Sequence, residues 1–161
     1  MSINAKKSNC IRIGPRIHAM CRNVTCLSGK SLPWVNEVRY LGIYIVRSRI
    51  FKCSLDYAKR SYYRAANSIF GKVGRLASEE VTLQLLYSKC MPVLLYGLEV
   101  CPLNKSDYSS LDFAINRFFF MKLFKTNDMN IIASCQLYFR CELPSVILKR
   151  RYETFCNKIT K

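Results

Sequence analysis

An α+β fold is predicted: a small N-terminal antiparallel β hairpin or meander followed by an α-helical bundle of about five helices. Three observations lead there. The apolar pattern is short and extended up to Val46 and recurs at three and four residues after Lys52. The strand-like segments come first and the helical ones after, without alternating. Half of the 161 residues are hydrophobic, enough for one packed core. The predicted division is residues 1–52 for the strands and 53–161 for the helices.

Cys10-Ile11-Arg12-Ile13 alternates ahead of Gly14-Pro15, and Val38-Arg39-Tyr40-Leu41-Gly42-Ile43-Tyr44-Ile45-Val46 is β-branched and aromatic, so both read as strands. Ser28-Gly29-Lys30-Ser31-Leu32-Pro33 supplies turn residues between them. A sheet this small needs a covering layer, and an uncovered apolar face would make the chain poorly soluble.

Leu55, Ala58, Tyr62, Ala65, Ala66, Ile69, Val73 and Leu76 then mark one face of an amphipathic helix, with Arg60, Arg64 and Arg75 opposite. Ser78 is an expected N-cap, followed by Glu79 and Glu80 where the helix dipole favours anions. That second helix is expected to reach Tyr96-Gly97, kinked or interrupted at Pro92. A third follows Ser106 through Leu111, Ile115 and Leu123, a fourth spans about Asp128 to Phe139, and a fifth opens at Pro144.

Charge narrows the function. Lys plus Arg outnumber Asp plus Glu by 26 to 10, for a net charge of +16. Of these, 15 basic residues but only 2 acidic ones fall before position 77. Such a one-sided field attracts phosphate backbones by counterion release. An anionic membrane surface would need an exposed apolar helical face, and every apolar stripe here is better used as core. No apolar run is long enough to span a bilayer, so an intracellular protein of nucleus or cytoplasm, not secreted, is expected.

Enzyme and metal centres find little support. Nine cysteines form no C-x-x-C pair and His18 is the only histidine, so the cysteines are expected to be reduced, mostly core thiols. Gly29-Lys30-Ser31 resembles the end of a phosphate-binding loop, but Val24 stands where its first glycine belongs. Glu37 and Asp56 are the only carboxylates in the basic half, too few to hold a divalent ion with open positions for substrate.

What rises above background is basic residues interleaved with rings, Tyr57-Ala58-Lys59-Arg60-Ser61-Tyr62-Tyr63-Arg64, flanked by Lys52 and Lys72. Lys59, Arg60, Arg64, Lys72 and Arg75 can pair with phosphates while Tyr57 or Tyr63 stacks on a base or sugar. The rival reading is a helical protein-interaction or scaffold domain whose basic face is merely solvated.

Three segments in order resemble the C-terminal part of a reverse transcriptase from a LINE-type (non-long-terminal-repeat) retrotransposon. Asn4-Ala5-Lys6-Lys7-Ser8 is similar to the last lysine motif of the palm, Val38-Arg39-Tyr40-Leu41-Gly42 to the hairpin that grips the primer terminus, and Pro92-Val93-Leu94-Leu95-Tyr96-Gly97-Leu98-Glu99 to a segment of the helical region after it. The resemblance implies the end of the palm plus a thumb. Lys7 would match a lysine that assists the leaving pyrophosphate, and Tyr40, Leu41 and Gly42 would match the primer grip. RNA, DNA or an RNA–DNA hybrid is the implied partner, together with the remaining polymerase portion. The family's catalytic aspartates precede the lysine motif, so this chain alone is expected to be inactive in polymerisation, with Mg²⁺ expected only in the complete enzyme.

Overall fold

Short extended segments punctuated by glycine and proline give short strands. The computed structural model describes residues 3–73 and 76–159, with only the backbone of 118–120, and contains two small antiparallel sheets followed by five α-helices. The α+β expectation therefore holds. Two compact units divide the chain, Met1–Ser54 and Leu55–Lys161.

In the first unit, β1 (Val24–Thr25) pairs with β2 (Ser31–Leu32), with Val24 opposite Leu32. Gly29, at φ +75°, closes the turn between them through its N–H to the Cys26 carbonyl at 2.9 Å. Gly29-Lys30-Ser31 thus belongs to a hairpin rather than to a strand-to-helix phosphate loop. The second sheet runs in the order β3 (Glu37–Tyr40), β4 (Ile43–Val46), β5 (Cys53–Ser54). Leu41 and Gly42 form the two-residue turn between β3 and β4 with φ of +46° and +89°, the left-handed pair that matches the twist of a hairpin.

Cys10–Ile13 departs from its expected strand. Cys10 and Ile13 make only isolated parallel bridges, to Trp34 and Ser48. With Gly14-Pro15 directly after it, the segment has no continuous partner along which to build a ladder. All four β4 residues are half-buried, so the hairpin shows no clean alternation of inner and outer faces. Cys53 is buried and disulfide-bonded.

The second unit is helical. Helix α1 (Asp56–Val73) buries Tyr62 and Ala66 against α2 (Glu79–Leu95). Ser78 caps α2, its hydroxyl accepting from the Val81 N–H at 3.4 Å. Pro92 does not interrupt α2. Its missing N–H removes one bond near the helix end, and buried Cys90, Met91, Leu94 and Leu95 hold the last turn in the core. Gly97, left-handed at φ +68°, then turns the chain into a 3₁₀ turn at Leu98–Val100.

Helix α3 (Lys105–Ile115) starts earlier than expected because Asn104 and Asp107 form a reciprocal capping box, with bonds of 2.9 and 3.0 Å. It widens directly into a π-helical segment, Asn116–Met121. Asp128 caps α4 (Met129–Tyr138), accepting from the Asn130 N–H at 2.8 Å. Pro144 opens α5 (Pro144–Ile159), whose Ser145 N–H donates to Asp112 Oδ1 at 2.9 Å, so α3 caps α5. Leu83, Leu86, Leu94, Leu111, Ile115 and Leu148 are essentially solvent-free and form the core.

Cys101 is disulfide-bonded, so the expectation of reduced thiols throughout fails at Cys53 and Cys101, while Cys10, Cys21, Cys26, Cys90, Cys135, Cys141 and Cys156 stand outside any disulfide. Among the described residues, no helix is long and apolar enough to cross a membrane.

Candidate nucleic-acid interface

Helix periodicity sorts the polar residues of α1 into an outer ridge and a flank. With Tyr62 and Ala66 inward, Arg60 and Arg64, one turn apart, lie on the side opposite the core, and both are exposed. Lys72 lies exposed in the last turn of α1, where a cation also suits the helix dipole. The Arg60 guanidinium sits 5.6 Å from the centroid of the Tyr57 ring, a cation–π contact within the usual range.

Lys59, Tyr63, Asn67 and Phe70 recur at i, i+4, i+8 and i+11 and make the flank. This flank faces α3 and the π segment across two adjoining depressions. The first, of about 410 Å³, is lined by Asp56, Lys59, Arg60, Tyr63, Ser110 and Phe113. The second, of about 600 Å³, is lined by Tyr63, Asn67, Arg117, Met121, Lys122 and Asn127. Tyr63 borders both, its ring set edge-on to Tyr62 at 5.2 Å between centroids.

The cations in this trough differ in freedom. Lys59 donates to Ser110 Oγ at 3.0 Å and stands 3.7 Å from Asp56 Oδ1. Lys122 donates to Asn67 Oδ1 at 3.1 Å, and its ammonium lies 4.9 Å from the Phe70 ring centroid. Arg60 and Arg117 are exposed among the lining residues, and Arg64 is exposed one turn further along α1. Cationic side chains therefore bound a concave strip that also offers a tyrosine ring and amide groups, with Asp56 the one carboxylate among the lining residues.

The sequence-predicted residues are only partly brought together. Lys59, Arg60 and Tyr63 line the trough, and Arg64 and Lys72 share its helix. Arg75 lies outside the described residues. In the first unit, Lys7 is exposed in a turn closed by its own N–H to the Asn4 carbonyl at 3.0 Å, while Tyr40, Leu41 and Gly42 form the tip of the β3–β4 hairpin. Arg117, Lys122, Asn67 and Asn127 were not expected from the sequence. Their signal was weak because Arg117 and Lys122 are five apart, about 140° on an ordinary helix of 3.6 residues per turn. The wider π turn sets them on one wall.

His18 is exposed in a turn after Gly14. Among the described residues, no three His, Cys, Asp or Glu side chains gather in one place. Comparison with protein-family models, curated proteins and solved structures returned no match.

Proposed function

We propose that this protein binds the sugar-phosphate backbone of a template–primer nucleic acid, as the thumb of a LINE-type reverse transcriptase would. RNA, DNA or an RNA–DNA hybrid would be the partner, in the nucleus or cytoplasm. Arg60, Arg64, Lys72 and Arg75 contact phosphates, Lys59 supports them from the trough, and Tyr63 stacks. Lys7 and the Tyr40-Leu41-Gly42 tip contribute near the primer end, and Mg²⁺ belongs to the complete polymerase.

The observation that carries this reading is the outer ridge of α1, where Arg60 and Arg64 stand exposed one turn apart beside a tyrosine-bordered trough. The net charge of +16 adds long-range attraction for a polyanion. The test is the affinity for a primer–template measured against salt. A steep linear fall of log affinity with log salt is expected, and an affinity indifferent to salt defeats the reading.

One observation favours a protein partner instead. A groove of about 810 Å³ between α2 and the end of α4 is lined by Val81, Leu85, Tyr87, Tyr138 and Phe139 among others, with Tyr138 82% exposed. Binding that survives high salt and disappears in Tyr138→Ser would support that alternative.

A further inference from the structure

Backbone binding by a basic ridge is blind to whether the nucleic acid is paired. The second wall of the trough is not. Resting on the nucleic-acid reading above, we infer that the depression between α1 and the π segment is a subsite for one unpaired nucleotide of a single strand, RNA or DNA.

Four features converge on that ligand. Arg117 and Lys122 supply positive charge on the wall facing α1, and Lys122 is held in place by Asn67 and Phe70. Tyr63 presents a half-buried ring braced by Tyr62. Asn67 and Asn127 bring amide groups of the kind that pair with base edges. A volume of about 600 Å³ lies within the range of small-ligand sites.

The combination suits a nucleotide better than a bare anion, because inorganic phosphate would use the cations and leave the ring and the amides without a role. It also selects against a duplex. Paired bases keep their faces in their own stack, so a side-chain ring gains a stacking partner only from an unpaired base. The π turn that creates this wall is a rare geometry, found often at functional sites.

The test compares labelled single-stranded ribo- and deoxyribo-oligonucleotides with a blunt duplex of equal length, by fluorescence anisotropy on the full chain. Tyr63→Ala and the exposed-wall pair Arg117→Ala/Lys122→Ala should each weaken single-strand binding about tenfold. Tyr63→Ala should weaken single-strand binding more than duplex binding, and Tyr63→Phe should restore single-strand binding. Circular dichroism checks the fold of each variant, and the wall pair keeps the test decisive if Tyr63→Ala unfolds. A strand of only one sugar type responding would assign the subsite to that type. Duplex binding with single-strand affinity indifferent to both variants overturns the subsite alone, whereas a wild-type chain that binds no polynucleotide overturns the function reading with it.

Discussion

The Lys59 ammonium donates to Ser110 Oγ at 3.0 Å, joining the first turns of α1 to the middle of α3 across the smaller depression. A residue placed by sequence on a phosphate-contacting face is thus engaged within the protein as well, with Asp56 3.7 Å away. Its side chain is 26% exposed, which leaves the bond only partly shielded from water.

Lys59 should therefore act more on stability than on binding. Lys59→Ala is expected to lower unfolding stability by about 1 kcal/mol, the value of a charged hydrogen bond discounted for exposure. Urea denaturation reads the loss, and the salt slope of nucleic-acid binding should fall less than it does on removing Arg60. A Lys59→Ala chain of unchanged stability would show that the Ser110 bond contributes nothing.

Leu41 holds a left-handed conformation at φ +46° while 74% exposed, an unfavourable place for a bulky residue in a two-residue hairpin turn. Leu41→Asn, followed by Gly42, should raise stability by about 0.5–1 kcal/mol. Strain retained at such a position points to use of the side chain, so the same variant should weaken primer–template binding. A lower urea midpoint for Leu41→Asn would contradict the strain, and an unchanged affinity would remove Leu41 from the interface.

Burial pushes the Cys90 thiol up to about 11 from an ordinary value of 9 and also raises the Tyr62 phenol. A group whose pKa is raised on folding binds its proton more tightly in the folded state. Its contribution is complete below pH 9, where the unfolded thiol still holds its proton, and declines as pH climbs towards 11. Stability measured across that window should fall, and Cys90→Ala should flatten part of the fall although its overall stability is lower. A wild-type chain equally stable at both ends of the window would refute the assignment.

The helices were the legible part of the fold. Leu55, Ala58, Tyr62, Ala66 and Ile69 repeat at helical spacing with arginines opposite, and Ser78, Asp128 and Pro144 mark helix starts with side-chain chemistry that acts locally. The interruption allowed for at Pro92 does not occur, because a proline within the last turn of a buried helix sacrifices one bond while the core holds the rest. Cys10–Ile13 misled because alternation indicates a willing strand but not the presence of a partner. The exposed basic ridge of α1, Arg60 and Arg64, was readable from period alone. Its opposite wall was not, because Arg117 and Lys122 share a face only where the helix widens after Ile115, and single-residue periodicity does not signal a π turn.

The most direct measurement is the salt dependence of primer–template affinity for the wild-type chain beside an Arg60→Ala/Arg64→Ala chain. With two phosphate contacts removed, the slope of log affinity against log salt should drop by roughly 2 while the circular dichroism spectrum stays unchanged. Identical slopes for the two chains would contradict a binding surface on the outer ridge of α1.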